Sequence, residues 1–284
     1  NLSLGGGLKQ TSQTNNYDGN ENTALGFNAL LQNKSGYRNT AVGNNALLTN
    51  ESGSLNTAVG HRALEANIGF SNTALGARSL HKNSTGASNT AVGHNSLSYN
   101  ETGIENVAIG LAALQLNTTG EHNVAVGTSS QSSNETGIRN SSVGHVSLLR
   151  NQTGTGNSAF GWGALLEATA GDYNTALGYL AINSSQTGSG NTAIGMEAFR
   201  YLKSGTNNTA VGYGAGAHDP NMVITNATAI GFSTKVNASN KVRIGNTDVT
   251  VIEGQVPFTS SSDKRLKEDI QTVDKGLELI NDLT

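Results

Sequence analysis

The chain has 284 residues, a net charge of −3, no cysteine, 36 glycines and 35% apolar residues. Without cysteine there are no disulfides or thiolate metal sites, so stability must come from packing or assembly. The near-neutral charge gives no reason to expect nucleic acid as a partner, and no apolar run approaches the ~18 residues of a membrane helix, so no membrane insertion is expected.

Residues 1–21 hold no repeat and read as an N-terminal connector. The sequence has neither an initial Met nor a signal peptide, and is expected to be a fragment whose targeting segment lies upstream. From Asn22 the chain repeats itself. "NTALGFNALLQNKSGYR" is followed by "NTAVGNNALLTNESGSL" and "NTAVGHRALEANIGFS", and the opening Asn recurs at 39, 56, 72, 89, 106, 123, 140, 157, 174, 191 and 208. All steps are 17 residues except one of 16. Looser copies start at Asn226 and Asn240, so the repeat region spans 22–245, about 13 coils.

The consensus is N-T-A-Φ-G-x-x-A-L-x-x-N-x-(S/T)-G-x-x, where Φ is aliphatic. Two short apolar pieces, such as Thr40–Val42 and Ala46–Leu47, alternate with Gly and Asn, which supply the positive φ of tight corners. Helical repeats need units of ~33 residues or more, and leucine-rich repeats ~20–29 with another leucine spacing. Each unit therefore reads as one coil of an all-β, parallel β-solenoid with two short strands and two turns. Coils stacked at ~4.8 Å give a rod of roughly 60 Å.

Alternation places Thr40 and Val42 on one face and Asn39, Ala41 and Gly43 on the other. The expectation is that the aliphatic residue fills the coil with the Leu of the second strand. The small Ala face, including Ala125, then turns outward to meet another chain. A coil with so few apolar residues is marginal alone, which points to an oligomer with copies packed about a common axis.

The residue after each motif Gly forms a stripe: Phe27, Asn44, His61, Ala77, His94, Leu111, Thr128, His145, Trp162, Tyr179, Met196, Tyr213 and Phe232. Two readings stand. The stripe shields corners by packing, or its aromatics, with Trp162, Tyr179 and Tyr213 foremost, stack on sugars of a cell-surface glycan. Its three histidines fall in different coils, so no metal site is expected, and no motif calls for a cofactor. The N-x-(S/T) triplets at Asn33, Asn50, Asn83, Asn100, Asn117, Asn134 and Asn151 keep a fixed phase in the repeat. That phase makes them corner residues rather than glycosylation acceptors. No P-loop, H-E-x-x-H or G-x-S-x-G is present, so no external substrate is expected.

Residues 246–262 form a junction, and 263–284 differ from all that precedes. They hold ten charged residues in 22 positions. Val273, Leu277 and Ile280 fall at i, i+4 and i+7, the spacing of an apolar helical seam. A short C-terminal α-helical segment is expected there.

"NTAVG" resembles the "NSVAIG" motif in the head repeats of trimeric autotransporter adhesins, with a longer unit here. The resemblance implies a left-handed β-roll and a homotrimer. "SSSDKRLKEDI" resembles the start of the self-cleaving intramolecular chaperone domain of phage tail spikes, tail fibres and endosialidases, matched at Ser262, Asp263, Arg265, Leu266, Lys267, Asp269 and Ile270. It implies a Ser262–Lys267 dyad that cuts the chain once, next to Asp263. Without that resemblance, Ser262 or Asp263 reads as a helix cap. Together the resemblances imply a trimeric fibre for host or surface attachment, located on a virion or at a cell surface. The alternatives are a bacterial surface adhesin and a polysaccharide depolymerase.

Overall fold

The computed structural model describes residues 2–4 (backbone), 21–219 and 222–255. The chain divides into two compact units, Asn1–Asp248 and Val249–Thr284. The first is an all-β parallel solenoid, with no helix among the described residues. Of the second, residues 249–255 are described and contain no strand. The expected C-terminal helix lies outside the described residues.

Each coil contributes one three-residue strand, T-A-Φ or its equivalent. Examples are Thr23–Leu25, Thr40–Val42, Val107–Ile109 and Thr209–Val211. Fifteen such strands, from Leu2–Leu4 to Val242–Ile244, pair in sequence order as one parallel sheet. Equivalent residues are in register, as with Thr90↔Val107, Ala91↔Ala108 and Val92↔Ile109. At ~4.8 Å per strand the sheet is roughly 65 Å long.

The second apolar piece differs from expectation. Ala46–Leu47 is not a strand but part of a run of turns. Asn45 (φ 56) and Leu47 (φ 49) both adopt left-handed backbone, and equivalent residues do so in coil after coil. The reason lies in the hydrogen bonds. Asn45 N donates to Phe27 O of the preceding coil at 2.9 Å, and Leu47 N donates to Ala63 O of the following coil at 3.0 Å. Between them Ala46 N closes a turn on Gly43 O at 3.4 Å. The alternating backbone lets peptide groups bond to neighbouring coils without an extended strand, which satisfies the groups that burial would otherwise orphan. Among the described residues, second strands occur near the end of the repeats, where Gly205–Thr206 pairs with Ile224–Thr225 and Gly216–Ala217 with Lys235–Val236.

The facing of the main strand is also opposite to expectation. Ala41, Ala91 and Ala125 are fully buried inside the coil, while Val42, Val92 and Ile109 face outward. The motif asparagine sets this parity. Asn106 is fully buried. Its Nδ2 donates to Gly120 O at 2.8 Å, and its Oδ1 accepts from Asn123 N at 3.0 Å. With Asn106 inside, the two-residue period forces Ala108 inside and Ile109 outside. A second asparagine ladder runs beside the first. Asn117 Nδ2 donates to Gly120 O at 3.0 Å and to Asn100 Oδ1 at 2.8 Å. One corner carbonyl thus joins both ladders, and the remaining interior is Ala against Leu.

Two irregularities interrupt this interior. In the seventh and eighth coils Gln131 takes the Leu position and Ser142 the Ala position. Gln131 Nε2 donates to Val124 O at 2.9 Å and to Ser142 Oγ at 2.8 Å, and Ser130 lies between Ser142 and Ser147. This polar layer divides the apolar core in two, one part ending at Ala125 and the other starting at Leu148. Farther along, the second asparagine ladder stops at Asn151 because Ala168 and Ser185 follow. Asn151 Oδ1 and Ser185 Oγ are left without hydrogen-bond partners.

Ala168→Asn is expected to restore the ladder, its amide donating to Asn151 Oδ1, and to stabilise the fold by about 1 kcal/mol. A denaturant midpoint at or below that of the parent would refute the explanation. Ala125→Glu is expected to place an uncompensated carboxylate inside a coil and cost several kcal/mol. Circular dichroism should show lost folded signal. A variant that stays folded and only dissociates would put Ala125 back on an outer face.

Candidate functional site

The solenoid carries two adjacent outward columns. One is the Φ column of the sheet, in which Leu25, Leu75, Ile109, Val143, Phe160, Leu177, Ile194, Ile230 and Ile244 are all substantially exposed. Ile109 is 39% exposed and Leu177 49%. On the other side of the buried Ala column run Thr23, Thr40, Thr57, Thr73 and Thr90. The sheet is continuous, so the apolar column is continuous too. Soluble chains rarely expose contiguous apolar patches beyond a few hundred Å², and larger ones mark interaction surfaces. The sequence did not reveal this face, because periodicity fixes which residues share a side and not which side is inside. The available signal was the invariant phase of Asn with Ala: a corner-closing Asn drags its two-residue partner inward.

The second column is the stripe after the motif Gly. Gly43, at the head of this corner, has φ +136, and a Cβ there would come within 2.5 Å of Gly60 O. The corner therefore admits only glycine, and the following side chain emerges on the surface directly beside the Φ column. Trp162, Tyr179 and Tyr213 are each close to 45% exposed. Their rings are stacked along the solenoid. His145 and Trp162 centroids are 6.1 Å apart at 10°, and Trp162 and Tyr179 are 5.2 Å apart at 19°. Tyr213 and Phe232 are 5.5 Å apart at 12°. Trp162 has a ring against each face. A sugar stacks on an open aromatic face, and here the face of one coil is covered by the ring of the next. The exposed parts are ring edges, which favours the packing reading of the stripe.

The triplet asparagines are internal. Asn50, Asn83, Asn100, Asn117, Asn134 and Asn151 are fully buried and Asn33 nearly so. Their side-chain nitrogens are engaged in the ladder, which removes them as acceptors for a glycan. No group of three His, Asp or Glu able to hold a metal occurs among the described residues. No helix among them is long and apolar enough to cross a membrane.

A partly buried charged group lies in the third and fourth coils. Glu65 and His81 occupy the same column in successive coils, with Glu65 Oε2 2.7 Å from Arg62 Nε and 3.0 Å from His81 Nδ1. His81 Nδ1 lies close to the carboxylate without hydrogen-bond alignment. Burial lowers the imidazole pKa from its ordinary value, more than the Glu65 carboxylate raises it. The cluster is an Arg62–Glu65 ion pair with the His81 imidazole beside it, at the one 16-residue coil.

Ser262 and Lys267, with Asp263 between them, lie outside the described residues. Searches of protein-family models, of curated proteins and of solved structures find no match to the chain.

Trp162→Ala is expected to remove two ring stacks and lower stability by about 1–3 kcal/mol, each stack contributing ~0.5–1.5 kcal/mol beyond its buried area. Thermal unfolding checks this. An unchanged melting temperature together with weaker binding to a glycan surface would restore the sugar-stacking reading.

Proposed function

We propose that the chain is the shaft and terminal part of an adhesive homotrimeric fibre, a virion tail fibre or a fibre of the same build, that attaches its bearer to a surface. The observation that carries this reading is the continuous apolar column on the outer face of the sheet, bordered by the aromatic stripe. Its natural cover is a second and third copy of the same chain. Only a partner with the same rise per coil keeps its own side chains in phase with this column over the length of the sheet. A parallel copy has that rise by construction. The threefold order comes from the resemblance of the repeats to trimeric adhesin heads.

A uniform repeat creates a difficulty for such an assembly. Chains displaced by one coil present nearly the same face, and non-local pairing is slow. A trimerising module at the C-terminus would set the register, and the likeness of residues 262–270 to an intramolecular chaperone fits that task. In that scheme neutral Lys267 takes the proton of Ser262 Oγ, the oxygen attacks the backbone carbonyl at the cut, the C–N bond next to Asp263 breaks as the Lys267 ammonium returns the proton to the departing amine, and water hydrolyses the ester left on Ser262. A solvated lysine, with pKa ~10.4, is protonated at neutral pH, so burial on assembly would switch the dyad on.

Sedimentation is expected to give three chains per particle, and Ile109→Lys combined with Val126→Lys a folded monomer. A parent chain that sediments as a monomer would defeat the proposal. The maturation scheme is checked separately by mass spectrometry of a chain carrying the whole C-terminal module: Ser262→Ala and Lys267→Ala should each abolish the cut, and a cut persisting in both would eliminate the dyad.

A further inference from the structure

The last coils break the repeat and open a cleft. The strand step from Thr209 to Thr228 is 19 residues instead of 17. The interior Leu column continues as Phe199, Gly216 and Lys235, and Gly216 pairs directly with Lys235. Where earlier coils carry a Leu, Gly216 carries nothing. A Cβ at Gly216 would meet the Phe199 ring at 2.9 Å, so Phe199 fills that place, and beside it opens a cleft of about 280 Å³ whose lining includes Glu197, Arg200, Tyr201, Gly214, His218 and Lys235. It lies on the turn side of the coil, which leaves the outward face of the main sheet free.

The groups in this cleft are of defined chemistry. Lys235 Nζ donates to Gly214 O at 2.6 Å. An ammonium has three donors and no acceptor, so a ligand oxygen can complete its shell. Its withdrawal from solvent lowers its pKa from the usual lysine value, and Glu197 opposes this only in part. Arg200 Nη1 donates to Glu197 Oε1 at 2.5 Å. The Arg200 guanidinium carbon stands 5.0 Å from the Tyr201 ring centroid. Tyr201 is 53% exposed at the rim. The Glu197 carboxylate balances one of the two cations, and one positive charge remains in a half-enclosed space. That balance suits a single carboxylate better than a doubly charged phosphate. The volume suits one small ring and sits near the lower end of the ~300–1,000 Å³ range of small-molecule sites.

We propose that this cleft binds the carboxylate of an acidic sugar, one ring at a time, with Lys235 as its counter-ion, Glu197 and Arg200 as hydrogen-bonding partners of ring hydroxyls, and Tyr201 as the apolar rim. The choice of a sugar rests on the surface-attachment reading. The choice of a single negative charge rests on the cleft alone. The site is one per chain, unlike the stripe after the motif Gly, and uses a Tyr outside that stripe.

The test is calorimetric titration of the full chain with glucuronate, N-acetylneuraminate, glucose and inorganic phosphate, repeated with Lys235→Gln and Tyr201→Ala. Circular dichroism should show that both variants keep the parent melting temperature. At least one acidic sugar is expected to bind, with glucose weaker by about tenfold or more, and Lys235→Gln is expected to reduce acidic-sugar affinity by a similar factor. Equal affinity for glucose, binding of phosphate alone, no binding of either acidic sugar, or unchanged affinity in Lys235→Gln would each overturn the proposal. Adsorption of the same proteins to bacterial cells separates the two readings. Acidic-sugar binding by a chain that adsorbs to no cell surface upholds the cleft and removes the attachment function. Adsorption that persists without acidic-sugar binding removes the cleft and leaves attachment standing.

Discussion

The buried asparagine at the head of each coil is the interaction on which the rest of this structure depends. A coil of 17 residues must turn sharply, and its corner carbonyls have no place in the sheet. Asn106 and Asn117 bring their amide groups to the same Gly120 oxygen, and each also reaches the next coil. An unpaired buried polar group costs free energy comparable to the hydrogen bond it lacks. The asparagines must therefore stay inside. Parity then places Ala inside and the aliphatic residue outside. A device that closes corners thereby creates the outward apolar face.

The same economy explains the interior. One Leu per coil lies against two alanines, and replacing the strand Ala by the neighbouring Val would overfill the layer. The Leu pays for its position with left-handed backbone, which L-residues seldom adopt outside Asn, Asp and Gly. Stacking sustains it, because the conformation turns Leu47 N toward Ala63 O in the next coil. Repetition turns an unfavourable local geometry into a bonded ladder.

Uniform ladders have a weakness, since a coil displaced by one repeat meets nearly identical neighbours. The Gln131–Ser142 layer differs from every other described layer of the solenoid. Displacing it would face the Gln131 amide with alanine and leucine and break its bond to Ser142 Oγ, leaving the bond to Val124 O of its own coil. The layer weakens the apolar core locally and marks one register as distinct. The cleft near Lys235 is a second departure from uniformity, at the opposite end of the scale: there the repeat loses a Leu, gains two residues and exposes charge. Features unique to one coil sit where the repeat fails, and the continuous outward apolar face sits where it holds.

The parallel solenoid was legible in the sequence because it depends on spacing. A 17-residue period with Gly and Asn punctuation is too short for paired helices, and it places T-A-Φ as the strand in every coil. Burial of the triplet asparagines was legible in part, since their fixed phase marked them as corner residues. The second strand was not, because Ala-Leu is compatible with extended and turned backbone alike, and only the hydrogen bonds to both neighbouring coils select the turn. The facing of Ala41 and Val42 was not legible either. Hydrophobicity alone puts Val inside and Asn outside, and that preference is overruled only when the asparagine's partners, Gly53 O in its own coil and the backbone of the next, are in place. The sequence by itself determined the period, the strand and the stacking direction, which are properties of one repeat. The tertiary structure decided inside from outside and brought Arg200, Gly214 and Lys235 together, because these depend on bonds and gaps that exist only once coils are stacked.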